Sequence, residues 1–214
     1  MKHGAKKSQT ALQEMLINKR KMTSLMEREL ALALNEVKRE TANWVPMWVD
    51  WGHTVRSDCN TATAIRAITD KGELLWYVRH DQKKHGFHSL ESDPFDAFAD
   101  AMAAWEKRAL VRAHWAQVKA LSRDLMLGRE EFRITMDDAE QSALCTLGIK
   151  WFRERLHIAN KPDISGRFAG FLMKVEPQIG FIIYEAALRT GVWAKHSETN
   201  TGPASKPTVL TPGE

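Results

Sequence analysis

The chain has 214 residues, of which 43% are hydrophobic and 27% are charged. This length and composition predict one medium-sized globular domain or a domain with an appendage, and they exclude a wholly disordered chain. The formal net charge of +4 is compatible with a nucleic-acid partner, but the uneven placement of the cations along the chain is more informative than their sum.

The N-terminal region, residues 1–43, is predicted to form one long basic helix over residues 7–42. Apolar side chains recur there at steps of three and four residues: Leu12, Met15, Leu16, Met22, Met26, Leu30, Ala33, Leu34 and Val37. Such a stripe marks one face of an amphipathic helix. We expect it to pack on the rest of the protein or on a second copy, so a homodimer is possible.

Residues 44–127 are predicted to hold a small antiparallel sheet followed by a long helix. The Trp-rich start of this region indicates an irregular extended segment or an edge strand, because Pro46 lacks the N–H group that a central strand needs. Turn-forming residues between Asp70 and Gly72 separate two strands, and "HGFHSL" predicts a third, short strand.

The long helix is predicted from Pro94 to about Leu127. Asp93 is a suitable N-cap, and proline is favoured at the first helical position. The apolar stripe drifts near residues 107–111, where we expect a bend, and Gly128 is expected to end the helix.

Residues 134–158 have the pattern of a helix-turn-helix. In that motif a small residue in the first helix and an apolar residue at the corner let the second helix approach closely. Ala139 and Leu144 supply these residues, and Ile149 with Phe152 would form the inner face of the second helix.

Capping residues mark the start of both helices in this segment. Thr135 with Asp138 predicts a capping box for the first helix, and Thr146 predicts a cap for the second. The second helix also carries basic side chains that point away from its apolar face: Lys150, Arg153 and Arg155. This arrangement suits contact with the major groove of DNA.

The segment resembles the first half of a MerR-type winged helix-turn-helix, in which a small residue, a corner residue and an apolar-then-aromatic helix recur at similar intervals. The resemblance covers residues 134–158. It implies DNA recognition by the basic second helix. The same pattern is also compatible with two core helices joined by an ordinary corner.

The rest of the C-terminal part is predicted to be helical as well. Residues 167–191 are apolar almost all round, which favours a buried helix broken at Pro177, and Glu185 lies within helical reach of Arg189. Residues 195–214 are rich in Thr, Pro, Ser and Gly and are predicted to be disordered. The expected fold class is therefore α+β, mainly helical, with a small antiparallel sheet and a helix-turn-helix-like region at 128–194.

A second basic cluster lies in "RHDQKKHGFH", at the expected tip of a hairpin. Its basic residues lie beside the aromatic residues Trp76, Tyr77 and Phe87: Arg79, His80, Lys83, Lys84, His85 and His88. Basic side chains among aromatic ones suit a phosphate backbone or unstacked bases. The alternative is a solvated hairpin tip, where lysine only keeps an exposed strand edge from pairing.

No catalytic motif is recognisable, and we expect neither an enzyme nor a cofactor. Cys59 and Cys145 lack CxxC spacing, and the histidines at 80, 85 and 88 match no zinc pattern, so no metal site is expected. The chain shows neither the apolar run of a signal peptide nor a stretch that could cross a bilayer. The expectation is a cytoplasmic protein without a membrane partner.

Two functions follow from these patterns. The first is a nucleic-acid-binding regulator of bacterial or phage type, which recognises DNA with its basic helix and holds phosphates with the Lys/His-rich hairpin. The second is a non-enzymatic adaptor or inhibitor that docks on a larger nucleic-acid machine such as RNA polymerase. Its docking residues would be Trp44, Trp48 and Trp51, together with the N-terminal helix.

Overall fold

The computed structural model describes residues 37–42 and 44–195. These residues divide into two compact units: the first comprises residues 37–42, 44–106 and 144–160, and the second comprises residues 107–143 and 161–195. The predicted helix over residues 7–36 and the predicted tail from residue 196 onward lie outside the described residues.

The described part of the chain is of the α+β class, as predicted. Its helices are α1 (Pro94–Ala113), α2 (Trp115–Leu127), α3 (Met136–Glu140), α4 (Thr146–Arg155), α5 (Gly166–Val175) and α6 (Ile179–Arg189). Its strands are β1 (Val37–Ala42), β2 (Val45–Arg56), β3 (Ala62–Thr69), β4 (Leu74–His80), β5 (Phe87–Ser89), β6 (Arg133–Thr135) and β7 (Asp163–Ser165).

The first unit is built on an antiparallel sheet of five strands, β1 to β5, which lie side by side in chain order. Residues 37–42 correct the sequence prediction, because they form strand β1 and not the end of a helix. They pair with β2 from Val37 opposite Asp50 to Ala42 opposite Val45. The sheet therefore contains a strand, β1, that the sequence did not indicate.

Strand β2 lies inside the sheet, although Pro46 had indicated an edge strand. Pro46 is opposite Thr41 of β1, and pairing with β3 begins only at Met47. The proline thus occupies the beginning of the strand, where a missing N–H group is tolerated. Further along, the register between β2 and β3 shifts between Val49 and Thr54, which is typical of a bulge.

Much of the sheet is covered on both faces. Trp76 and Val78 of β4 pack in one apolar cluster with Phe98 and Trp105 of α1. Their neighbours Leu75 and Tyr77 pack in a second cluster that includes Leu147 of α4. Because successive side chains of a strand point to opposite faces, helices α1 and α4 cover opposite faces of the sheet. Two-sided burial explains why the strands have nearly continuous apolar sequences.

The helix boundaries agree closely with the capping signals in the sequence. The carboxylate of Asp93 accepts a hydrogen bond from the N–H of Phe95 at 2.7 Å. The bend expected near residues 107–111 is corrected: the helix continues through them and breaks at His114, so the single predicted helix is two helices, α1 and α2. Gly128 ends α2 with a φ of 70°, a left-handed conformation that glycine adopts without strain.

In the second unit, helix α5 packs closely on α2. A Cβ atom added to Gly170 would lie 2.8 Å from the carbonyl oxygen of Ser122, so glycine is required for this approach. The predicted break at Pro177 is confirmed, because α5 ends at Val175 and α6 begins at Ile179. Strand β7 precedes α5 and pairs with β6 in a separate two-stranded sheet.

The predicted helix-turn-helix spans the boundary between the units. Helix α3 belongs to the second unit and α4 to the first, and the motif itself stays a prediction. The capping box of Thr135 and Asp138 is confirmed. The expected cap at Thr146 is corrected, since the N-cap of α4 is Cys145, whose Sγ accepts a hydrogen bond from the N–H of Gly148 at 3.3 Å.

A buried carboxylate ties α3 to α6 in the second unit. Asp138 is only 2% exposed, and Arg189 donates to both of its oxygens at 2.6 and 2.9 Å. Arg189 therefore pairs with Asp138 and not, as the sequence suggested, with Glu185, which pairs with Lys107 at 3.1 Å. Burial acts to raise the pKa of Asp138, but the hydrogen bonds from Arg189 and Thr135 outweigh it and hold the pKa below its usual value.

Replacing Arg189 is expected to destabilise the second unit more than neutralising Asp138. Arg189→Met leaves a buried carboxylate without its cation and should cost about 2–4 kcal/mol of unfolding free energy, whereas Asp138→Asn should cost about 1–2 kcal/mol. Urea unfolding at pH 7 measures both values.

The pH dependence of the same variants provides a control. Since the pKa of Asp138 is lowered on folding, the ion pair stabilises the fold fully above about pH 4 and loses this effect as the pH falls through the folded pKa. The difference between wild type and Arg189→Met should therefore shrink in acid. A difference that stays constant from neutral to acidic pH would contradict this explanation.

Candidate nucleic-acid interface

The basic residues singled out in the sequence lie at opposite ends of the sheet. In an antiparallel meander the turns alternate between the two ends, so the β1–β2 and β3–β4 turns share one end, here called the α4 end. The β2–β3 and β4–β5 turns share the other, here called the loop end, where Arg56 and Asp81 form an ion pair at 3.2 Å. Strand β3 has 8 residues, so about 25 Å separates the two ends.

At the α4 end, the cations of α4 bond mainly to the protein itself. Lys150 forms an ion pair with Glu73 of the β3–β4 turn, and this hydrogen bond raises the pKa of the lysine. Glu154 of the same helix pairs with Lys71. Helix α4 and the β3–β4 turn thus each contribute one lysine and one carboxylate, and the two ion pairs neutralise both lysines.

The two arginines of α4 also have partners within the first unit. Arg153 donates to the carbonyl oxygen of Ala159 at 2.8 Å. The guanidinium carbon of Arg155 lies 5.0 Å from the ring centroid of Trp44. Arg155 is exposed and has no carboxylate partner among the described residues, so it is the most accessible of the three predicted DNA-contacting cations.

The tryptophans expected to dock a protein partner are used to different degrees in the fold. Trp48 is buried, at 4% exposure, and does not present its indole at the surface. Trp44, in the β1–β2 turn, packs edge-on against Phe152 with 5.6 Å between ring centroids. Trp51 is half-buried against the cluster beneath α4. A partner could reach only part of this set.

At the loop end, pairing across three strands forms a row on the face that α4 partly covers. Arg56 of β2 is opposite Thr63 of β3, and Thr63 is opposite Arg79 of β4. Both arginines are exposed. Arg56 is fixed by bonds to Asn60, Thr63 and Asp81 at 2.6 to 3.2 Å.

Arg79 lies beside an aromatic ring and pairs with no carboxylate among the described residues. Its guanidinium carbon is 5.7 Å from the ring centroid of Trp51. The side chains of Lys83 and Lys84 are exposed and likewise have no partner within the described part of the chain. We call these five residues the loop-end surface: Trp51, Arg56, Arg79, Lys83 and Lys84.

The loop that carries the lysines is anchored at both of its ends. The backbone N–H of Lys83 donates to the carbonyl oxygen of His80 at 3.1 Å. The indole N–H of Trp105 donates to the carbonyl oxygen of His85 at 3.3 Å. The side chain of His85 is exposed. The loop is therefore held close to the end of β4, where Arg79 lies.

The sequence did not reveal that Arg56 belongs to this surface. In the sequence, the β2–β3 turn, strand β3 and the β3–β4 turn lie between Arg56 and Arg79. Only the register of β2 brings Arg56 into the row with Thr63 and Arg79. That register depends on the shift between Val49 and Thr54, which no local pattern indicates.

The two cysteines have very different surroundings. Cys59 is exposed in the β2–β3 turn, and hydrogen bonds from the hydroxyls of Ser57 and Thr61 lower the pKa of its thiol to about 7. Cys145 is buried, and its Sγ lies 3.2 Å from Nδ1 of His88. This second thiol joins strand β5 to the start of α4.

Clustered metal-binding side chains and membrane-spanning helices are both absent from the part of the chain that the structure describes. Within residues 37–42 and 44–195, no three His, Cys, Asp or Glu side chains come together as a metal site. In the same part of the chain, none of the helices has the length and apolar character that crossing a bilayer requires.

Comparison of the chain with protein-family models, with curated proteins and with solved structures gives no match. The geometry of the two basic ends is therefore the basis for assigning a function.

Alkylation is expected to distinguish the two thiols. With a pKa of about 7, half of Cys59 is thiolate at neutral pH, so iodoacetamide should label Cys59 rapidly and leave Cys145 unmodified in the native protein. Mass spectrometry of peptides after timed labelling measures both rates.

Removing one hydroxyl supplies the control for this reactivity. Thr61→Val deletes the hydrogen bond of 2.9 Å to Cys59 and should slow labelling at pH 7 by about threefold or more, because the thiolate fraction falls. Equal labelling of both cysteines, or a Cys59 rate unaffected by Thr61→Val, would contradict the assigned environments.

Proposed function

We propose that this protein is a non-enzymatic nucleic-acid-binding regulator that contacts phosphates through the loop-end surface. The observation that carries the proposal is that three cations close together in the sequence are exposed and available to a ligand. Arg79, Lys83 and Lys84 are exposed and have no carboxylate or carbonyl partner among the described residues. A basic cluster of this kind is the electrostatic footprint of nucleic-acid binding.

Free cations bind phosphates more strongly than cations that already have a carboxylate partner. A lysine that neutralises a phosphate gains affinity by releasing condensed counterions from the nucleic acid. Lys150 must first leave Glu73 to do so, and the released carboxylate would repel the same phosphate. Phosphate binding by Lys83 and Lys84 breaks no ion pair among the described residues.

The two basic regions thereby take roles different from those first expected of them. Recognition of DNA by α4 would require Lys150 and Arg153 to give up bonds within the protein, while Glu154 lies between Arg153 and Arg155 in the sequence. We therefore assign the main phosphate contacts to the loop-end lysines, Lys83 and Lys84. Recognition of DNA by the predicted helix-turn-helix stays an alternative proposal. Of its three basic residues, Arg155 alone could contact DNA without giving up a carboxylate or carbonyl partner among the described residues.

Docking on a protein partner such as RNA polymerase is the weaker candidate function. It depends on the tryptophans of residues 44–51, and burial of Trp48 removes the central one from the surface. Trp44 and Trp51 are each half-buried and each stack with an arginine. A protein partner would have to displace these arginines, so we favour the nucleic-acid role.

Neutralising the loop-end lysines is expected to weaken nucleic-acid binding. In fluorescence anisotropy with labelled duplex and single-stranded oligonucleotides, Lys83→Gln/Lys84→Gln should lower the affinity. It should also reduce the slope of log K against log salt by about 0.7–0.9 for each phosphate that the variant no longer neutralises. A titration from about 50 to 200 mM salt covers the useful range.

Lys150→Gln is the control at the α4 end, where it removes one positive charge against the two that the double variant removes. It should leave both affinity and salt slope close to those of the wild type. The proposal fails if the wild type binds neither oligonucleotide, or if Lys150→Gln weakens binding while Lys83→Gln/Lys84→Gln does not. The second result would place the nucleic-acid interface on α4.

A further inference from the structure

The loop-end surface holds a guanidinium plane next to an indole ring, and this arrangement bears on the kind of nucleic acid that it binds. Arg79 carries charge, but it also lies 5.7 Å from the ring centroid of Trp51. A lysine in the same place would supply the charge alone, since only the guanidinium is planar.

Trp51 is fixed in place by its surroundings. It follows the last residue of β2 that pairs with β1, and it lies within the stretch where pairing with β3 is interrupted. Its ring packs against the cluster that contains Val49, Ile65 and Tyr77. Strand β4 positions Arg79 opposite Thr63. Both members of the Arg79–Trp51 pair therefore lie on strands of the sheet.

We propose that the ligand is a single-stranded nucleic acid, and that an unpaired base stacks on the guanidinium of Arg79 while Lys83 and Lys84 contact the adjacent phosphates. This inference rests on the proposed function. Unstacked bases bind aromatic rings and guanidinium planes through their π faces, whereas the bases of a duplex are already stacked on each other.

The shape of the loop end also favours a single strand over a duplex. This end consists of strand ends and the turns at residues 57–61 and 81–86, and neither turn is helical. Direct recognition in the major groove generally uses a helix or a two-stranded ribbon. A charged surface beside a stacking platform is instead typical of proteins that bind single strands.

The α4 end provides an internal comparison. Arg155 lies 5.0 Å from the ring of Trp44 and is also exposed. Its neighbour Glu154 is a carboxylate that pairs with Lys71, and the nearby Lys150 pairs with Glu73. Lys83 and Lys84, beside Arg79, pair with no carboxylate among the described residues. Phosphates on either side of a stacked base would therefore meet available cations more readily at the loop end.

Substitution of each arginine by lysine separates stacking from charge. The probes are a single-stranded oligodeoxynucleotide that contains one 2-aminopurine and the duplex formed with its complement. Full-length wild type should bind the single strand more tightly than the duplex and change the 2-aminopurine fluorescence. Arg79→Lys should weaken single-strand binding about 5- to 10-fold and remove the fluorescence change, whereas Arg155→Lys should do neither.

Trp51→Phe tests the same stack from its other side, and thermal unfolding of each variant checks that the fold is intact. Equal affinity for duplex and single strand, or an Arg79→Lys variant that matches the wild type, would overturn the single-strand inference and leave the proposed function standing. A wild-type protein that binds neither probe would overturn both. Loss of binding in Arg155→Lys alone would move the stacking residue to the α4 end and refute the assignment to Arg79.

Discussion

The ion pairs between helix α4 and the β3–β4 turn determine which cations of the first unit can reach a ligand. Lys150 pairs with Glu73, and Glu154 pairs with Lys71, so each partner supplies one cation and one carboxylate. Exposed pairs of this kind contribute little to stability individually. Their larger effect is to neutralise the face of α4 on which Lys150 lies.

The tryptophans also affect which cations are available to a ligand. The chain has eight tryptophans, and several rings of the first unit each lie beneath a cation: Trp44, Trp48, Trp51, Trp76 and Trp151. Tryptophan presents the best ring for a cation–π interaction. Arg39 and Lys71 also have carboxylate partners. Arg79 and Arg155 have none among the described residues and are both exposed, but the lysines near Arg79 in the sequence, Lys83 and Lys84, have no carboxylate partner there, whereas Lys150 near Arg155 is paired with Glu73.

The elements that depend on local sequence were largely predictable. Asp93, Gly128 and Thr135 act within a few residues along the chain, and each is found at the helix end that it indicated. Strand β1 was not predictable, because Val37 continues the helical stripe and the strand forms only when β2 is beside it. Strand preference depends strongly on such neighbours.

The candidate surface was predictable only in part, because ionic partners can be distant in sequence. Lys83 and Lys84 are visible in the sequence as a basic hairpin tip, and within the described part of the chain they have no carboxylate partner. Lys150 is equally basic in the sequence, but its partner Glu73 lies 77 positions away. A cation's availability depends on such long-range pairs, and a single sequence does not reveal them.

A titration followed by nuclear magnetic resonance tests the central claim most directly. With a single-stranded oligodeoxynucleotide added to the isotope-labelled protein, we expect the side-chain Nε–H signal of Arg79, the indole N–H signal of Trp51 and the amide signals of the 81–86 turn to shift together. The Arg155 signal and the amide signals of α4 should stay in place. Shifts confined to α4, with Arg79 and Trp51 unchanged, would contradict the account.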